Sequence, residues 1–124
     1  MITVFKRMKV ELIAPKKAKQ IRKEFSTISR DFKNYALGQC MANAQNDGGE
    51  RQCLNENMDM FQAHHILPVS LGGGNSFDNL AWVHPALHAE IHQHINSQIQ
   101  GMQIGDKRYI MIPVMNRLIW SMQP

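Results

Sequence analysis

All six histidines of this chain, His64, His65, His84, His88, His92 and His94, lie between positions 64 and 94. Histidine is the commonest metal ligand, and such a crowd constrains the fold strongly: rings that share an ion must converge, and the others need separate partners. Pro85 suits the first position of a helix. A helix from Pro85 to about Gln98 puts His88 and His92 one turn apart on one face, where two rings can meet one ion. His64-His65 falls in a run from Met60 to Pro68 that reads as a strand. Adjacent strand residues face opposite sides, so one of the two can bind a metal while the other faces a neighbouring space. The string HAEIH is not the metalloprotease motif HExxH. Its Glu90 stands two residues after His88 instead of one, which turns the carboxylate about 100° away around the helix axis. Glu90 reads as solvated.

The segments around this cluster are readable from periodicity. Met8, Val10 and Leu12 alternate with Lys9 and Glu11, which predicts a short strand. Ile21, Phe25, Ile28, Phe32, Ala36 and Cys40 form one apolar stripe with Lys and Arg on the other faces. They predict a long helix from about Pro15 to about Ala42, packed on the core. Residues 45–57 are polar, contain Gly48-Gly49 and read as a loop. Cys40 and Cys53 read as two buried or free thiols, with a bridge as the alternative in an oxidising space; their spacing excludes a CxxC zinc knuckle. Gly72-Gly73-Gly74-Asn75 reads as a turn, Asn79–Val83 as a second strand, and Lys107–Ile112 as another. Pro113 is expected to open a last short helix with Val114, Leu118 and Trp120 facing inward. Trp82 is expected in the core.

The ordered string Ala63-His64-His65, Pro68-Val69-Ser70-Leu71-Gly72-Gly73, Asp78-Asn79-Leu80, His84-Pro85, His88 and His92 resembles the HNH, or ββα-metal (His-Me finger), nucleases. It is most similar to colicin- and pyocin-type DNase domains and to the bacterial toxin nucleases named for their Ala-His-His string. The resemblance covers about residues 60–95. It implies an α+β fold: a ββα-metal finger with a long N-terminal helix and a short C-terminal strand–helix extension, the whole of 1–124 being a single domain with its finger core at about 60–98.

That resemblance implies roles. His64, His88 and His92 would ligate one divalent metal ion, and His65 would be the general base that activates water. Asn79 would hydrogen-bond the backbone around the catalytic histidine. Imidazoles suit zinc, nickel or iron, and the family permits magnesium or manganese. The products would carry 5′-phosphate and 3′-hydroxyl ends. Many colicin-type domains have Glu two residues before the first ligand. Here that position is Gln62, which removes any charge-assisted placement of a phosphate-binding arginine there. His84, just before Pro85, is expected at the helix N-cap, and His94, about 200° around the helix from His92, is expected exposed.

The chain of 124 residues is net +4, and the excess is N-terminal: residues 1–33 hold ten Lys/Arg against three acidic residues. Lys16, Lys17, Lys19, Arg22 and Lys23 on the predicted helix are candidate nucleic-acid contacts. Affinity of this kind is for phosphate, and lysine lacks the rigid fork that reads guanine, so little sequence specificity is expected. The expected function is a metal-dependent, largely nonspecific DNA endonuclease, with RNA left open as a substrate. An antibacterial toxin role would need an acidic cognate immunity protein as partner. The rivals are a phage or mobile-element HNH endonuclease and a catalytically silent zinc-binding nucleic-acid module. No apolar run approaches the length of a membrane span, and the N-terminus reads as no signal peptide. The expected site of action is the cytoplasm of a target bacterium, after delivery by a secretion system or within a larger toxin.

Overall fold

The computed structural model describes residues 4–44, 58–115 and 117–121. A strand β1 (Phe5–Glu11) leads into a long helix α1 (Pro15–Ala44). A short 3-10 turn, Met58–Met60, precedes β2 (Gln62–His65). Two more 3-10 turns, Val69–Leu71 and Phe77–Asn79, lie between β2 and β3 (Leu80–Val83). Helix α2 (Pro85–Gln98), β4 (Lys107–Pro113) and β5 (Ile119–Trp120) follow. No helix among the described residues is long and apolar enough to cross a membrane.

Two sheets organise these elements. β1 and β4 pair antiparallel, with Met8 opposite Ile110 and Val10 opposite Arg108. β1 begins at Phe5, before the alternating run starts, because β4 offers a partner for each residue back to Phe5, which faces Pro113. The second sheet has the order β2-β3-β5. β2 and β3 are antiparallel, with His64 opposite Ala81 and His65 opposite Leu80.

Strand alternation sorts β3 between two cores. Ala81 and Val83 pack with Leu87, Ile91 and Ile95 of α2, with Val10, Ile110 and Ile112, and with Trp120. Leu80 and Trp82 pack with Phe32 and Ala36 of α1 and with Phe61. The β2–β3 ribbon therefore lies between the two helices. Burying Leu87, Ile91 and Ile95 contributes about 1.5–3 kcal/mol each, so α2 is held in one rotation and its polar positions have fixed directions. The α1 stripe is buried at Ala18, Phe32 and Ala36, while Ile21, Phe25, Ile28 and Cys40 are half-buried.

Three expectations need correction. The first strand of the finger stops at His65 instead of reaching Pro68, because Ile66 and Leu67 turn away to bond Asn79: the Ile66 N–H donates to the Asn79 carbonyl. The C-terminal strand–helix extension is a strand–strand extension. Pro113 is the buried last residue of β4, and β5 pairs parallel to β3, with Trp82 opposite Ile119 and Val83 opposite Trp120. The Trp82 N–H donates to the Leu118 carbonyl and the His84 N–H to the Trp120 carbonyl, which satisfies an edge a helix would have left open. Cys40 is disulfide-bonded and not a free thiol; Cys53 and the predicted loop at 45–57 lie outside the described residues.

Candidate active site

The two histidines of β2 point to opposite helices. His64 faces α2, and its ring lies 5.1 Å from that of His88 and 6.0 Å from that of His92. His65 faces α1, where Phe25 meets its ring edge-on at 4.7 Å. Both line one cleft of about 330 Å³, together with His88, His92, Arg22, Ser70 and Asn96.

His64, His88 and His92 each offer a ring nitrogen, and the three nitrogens lie within 4.8 Å of one another. His64 is 1% exposed, and its Nε2 is buried without a hydrogen-bond partner. A buried polar atom left unpaired costs about 1–3 kcal/mol, and a cation at this point removes that cost. The Nε2 atoms of His88 and His92 face each other at 2.9 Å. On its other side the His88 Nδ1 meets the Gln62 Oε1 at 2.6 Å. An amide oxygen only accepts, so His88 Nδ1 carries the proton and Nε2 keeps its lone pair. Burial, and after it the charge of neighbouring rings, pushes His64 down to about 3 and His88 down to about 4. Both imidazoles are thus neutral at pH 7, the form that binds metal. The donor set fits a divalent ion.

His65 is also held below the ordinary histidine value, first by burial and further by the nearby Arg22 guanidinium, with the hydrogen bond to Asn75 acting in the opposite direction. Its Nε2 lies 2.8 Å from the Asn75 Oδ1.

Asn79 bonds the loop that follows His65. Its Oδ1 accepts from the Leu67 N–H at 2.8 Å, and its Nδ2 donates to the carbonyls of Leu67 and Gly74, both at 3.0 Å. The loop passes so close that a Cβ at Gly73 would collide with the Leu67 carbonyl and crowd Asn79 Nδ2. Gly72 closes the preceding turn at φ 103°, a conformation natural to glycine.

Other residues take the following places. Of the five basic candidates on α1, Arg22 lines the cleft; Lys16, Lys17, Lys19 and Lys23 are exposed and do not line it. His84 is the N-cap of α2, its Nδ1 accepting from the Ala86 N–H at 3.0 Å. Glu90 is exposed and Trp82 is buried. His94 is not exposed as expected. It is half-buried because Phe5 covers it, ring to ring at 4.7 Å.

Sequence reasoning missed two supports of the three-histidine cluster. Gln62 lies two residues before His64 on the same strand, so period-two alternation already places both on one face. Trp120 packs its ring 5.5 Å from His64 and forms the wall behind it; nothing local in the sequence signals that contact.

Two antiparallel strands followed by a helix, with imidazoles converging across them, define a ββα-metal finger. Residues 51–99 match the family described as HNH endonuclease. The chain carries an HNH endonuclease domain and is a nuclease that hydrolyses phosphodiester bonds in nucleic acid. No curated protein and no solved structure matches the chain.

Proposed function

We propose that the chain is a metal-dependent, largely nonspecific DNA endonuclease, built as one domain. The observation that carries this reading is the convergence of three imidazole nitrogens beside a fourth histidine in one cleft. In this reading His64, His88 and His92 hold one divalent ion: zinc, nickel, magnesium or manganese. When bound, the ion supplies positive charge against the phosphate oxygens and the leaving 3′ oxygen. His65 takes the proton of the attacking water, and its burial favours the neutral ring a base requires. Asn79 keeps the loop after His65 in place. Arg22 binds a phosphate oxygen within the cleft, and Lys16, Lys17, Lys19 and Lys23 contact the phosphate backbone farther along the helix. The products carry 5′-phosphate and 3′-hydroxyl ends.

Plasmid digestion with a panel of divalent ions tests this. Nicked and linear DNA should accumulate with an ion and not in EDTA. Cleavage that persists in EDTA would sink the reading, and binding without cleavage under every ion would make the chain a silent zinc module.

The antibacterial role rests on the resemblance to toxin nucleases. In that role an acidic immunity protein covers the cleft or the basic helix, with charge complementarity speeding association. Expression in a bacterium without the inhibitor should kill it. Survival beside full nuclease activity would leave the phage or mobile-element reading.

A further inference from the structure

Asn75 belongs to the glycine turn, where asparagine ordinarily bonds backbone two residues on. Its side chain does something else. The Asn75 Nδ2 donates to the Ile21 carbonyl on α1 at 2.9 Å, and the Asn75 Oδ1 meets the His65 Nε2 at 2.8 Å. The orientation of this amide is forced. A backbone carbonyl can only accept, so the NH₂ faces Ile21 and only the oxygen is left for His65. His65 Nε2 must therefore carry a hydrogen and donate it, which leaves the lone pair on Nδ1. Phe25, one turn beyond Ile21, packs edge-on against the same ring. Two contacts thus fix His65: one ring from α1, and one amide of the finger's own turn anchored to the backbone of α1.

We propose that Asn75 is a positioning residue of the nuclease reaction. It transmits the fixed place of the Ile21 carbonyl to His65 and holds the ring with Nδ1 as the proton-accepting atom. This rests on the reading of His65 as the base. A helix carbonyl is a rigid anchor, because its position follows from a whole turn of backbone hydrogen bonds. Asn75 therefore ties the base to the same helix that carries Arg22, and sets the spacing between the group that takes the proton and the group that meets the phosphate.

The experiment compares Asn75→Ala, Asn75→Asp and His65→Ala. Asn75→Ala should lower kcat about ten- to a hundredfold, by analogy with the loss of an orienting partner at a metal-ligating histidine. KM and the affinity for the added divalent ion should stay unchanged. Asn75→Asp should also stay well below the natural rate, since a carboxylate still accepts from the His65 Nε2–H but cannot donate to the Ile21 carbonyl that anchors it. A full kcat in Asn75→Ala or in Asn75→Asp overturns the proposal while an inactive His65→Ala leaves the base reading intact. A fully active His65→Ala overturns both. The unaltered protein gives a reading independent of folding defects in variants. Nitrogen-resolved NMR should find the His65 ring proton on Nε2, slowed in exchange and close to Asn75. A proton on Nδ1 would overturn the proposal directly.

Discussion

The two helices flanking the β2–β3 ribbon do opposite kinds of work. α2 spans Pro85–Gln98, and Leu87, Ile91 and Ile95 bury one face of it completely. Its exposed side carries His88 and His92, whose nitrogens converge with that of His64. α1 spans Pro15–Ala44 with only Ala18, Phe32 and Ala36 in the buried core among its described side chains. It adds no residue to the three-histidine cluster. Instead it presents Phe25, the Ile21 carbonyl by way of Asn75, and Arg22 to His65. The difference teaches that one strand can furnish two environments without compromise. Alternation along β2 sends His64 to the helix that gathers nitrogens and His65 to the helix that packs a ring and an anchored amide around it.

That division can be broken in order of effect. His88→Ala or His92→Ala should abolish both metal binding and cleavage, whereas His65→Ala should cost about 10²–10⁴ in rate with metal binding intact. Titration calorimetry beside plasmid digestion separates the two, and unchanged metal affinity in the α2 variants would dissolve the distinction. Gln62→Leu should weaken metal affinity about ten- to a hundredfold, as loss of an orienting partner does, and leave DNA affinity alone.

The α2 side should also make stability depend on pH. His64 and His88 titrate at about 3 and about 4 in the folded protein, against about 6.5 when unfolded. Between those values the unfolded chain binds more protons, so stability rises with pH there and is lost as pH falls below 6.5. The melting temperature in EDTA should therefore drop between pH 7 and pH 5, and replacing His64 with Leu should flatten the drop. The smallest effect belongs to the outer face of α1. Lys16→Glu, Lys17→Glu and Lys19→Glu together should weaken DNA binding and flatten its salt dependence, with kcat at saturating DNA unchanged. An unaltered slope would mark that face as merely solvated.

Most of the finger was legible because its signals are local. Pro85 at the first helical position fixed the start of α2, and the i,i+4 histidines fixed the face that converges with His64. Alternation alone assigned His64 and His65 to different sides. What escaped depends on contacts distant in sequence. The Pro113 signal favoured a helix, yet β3 has an open edge that only the folded sheet reveals, and β5 fills it. Asn75 carries ordinary turn chemistry in the sequence, and its partners at Ile21 and His65 belong to other elements. His94 was expected in water because nothing near it predicts Phe5, which arrives from β1.

β5 has one more consequence. It is two residues long and is held to the sheet through the amides of Trp82 and His84, yet its Trp120 is fully buried against His64. Proteins open locally with free energies that run from near zero up to that of global unfolding, and amide exchange reads each opening separately. The amide hydrogens of Trp82 and His84 are therefore natural clocks for the site. Slower exchange there than at the ends of the helices would show that the wall behind His64 holds as firmly as the core, and faster exchange that it lifts on its own.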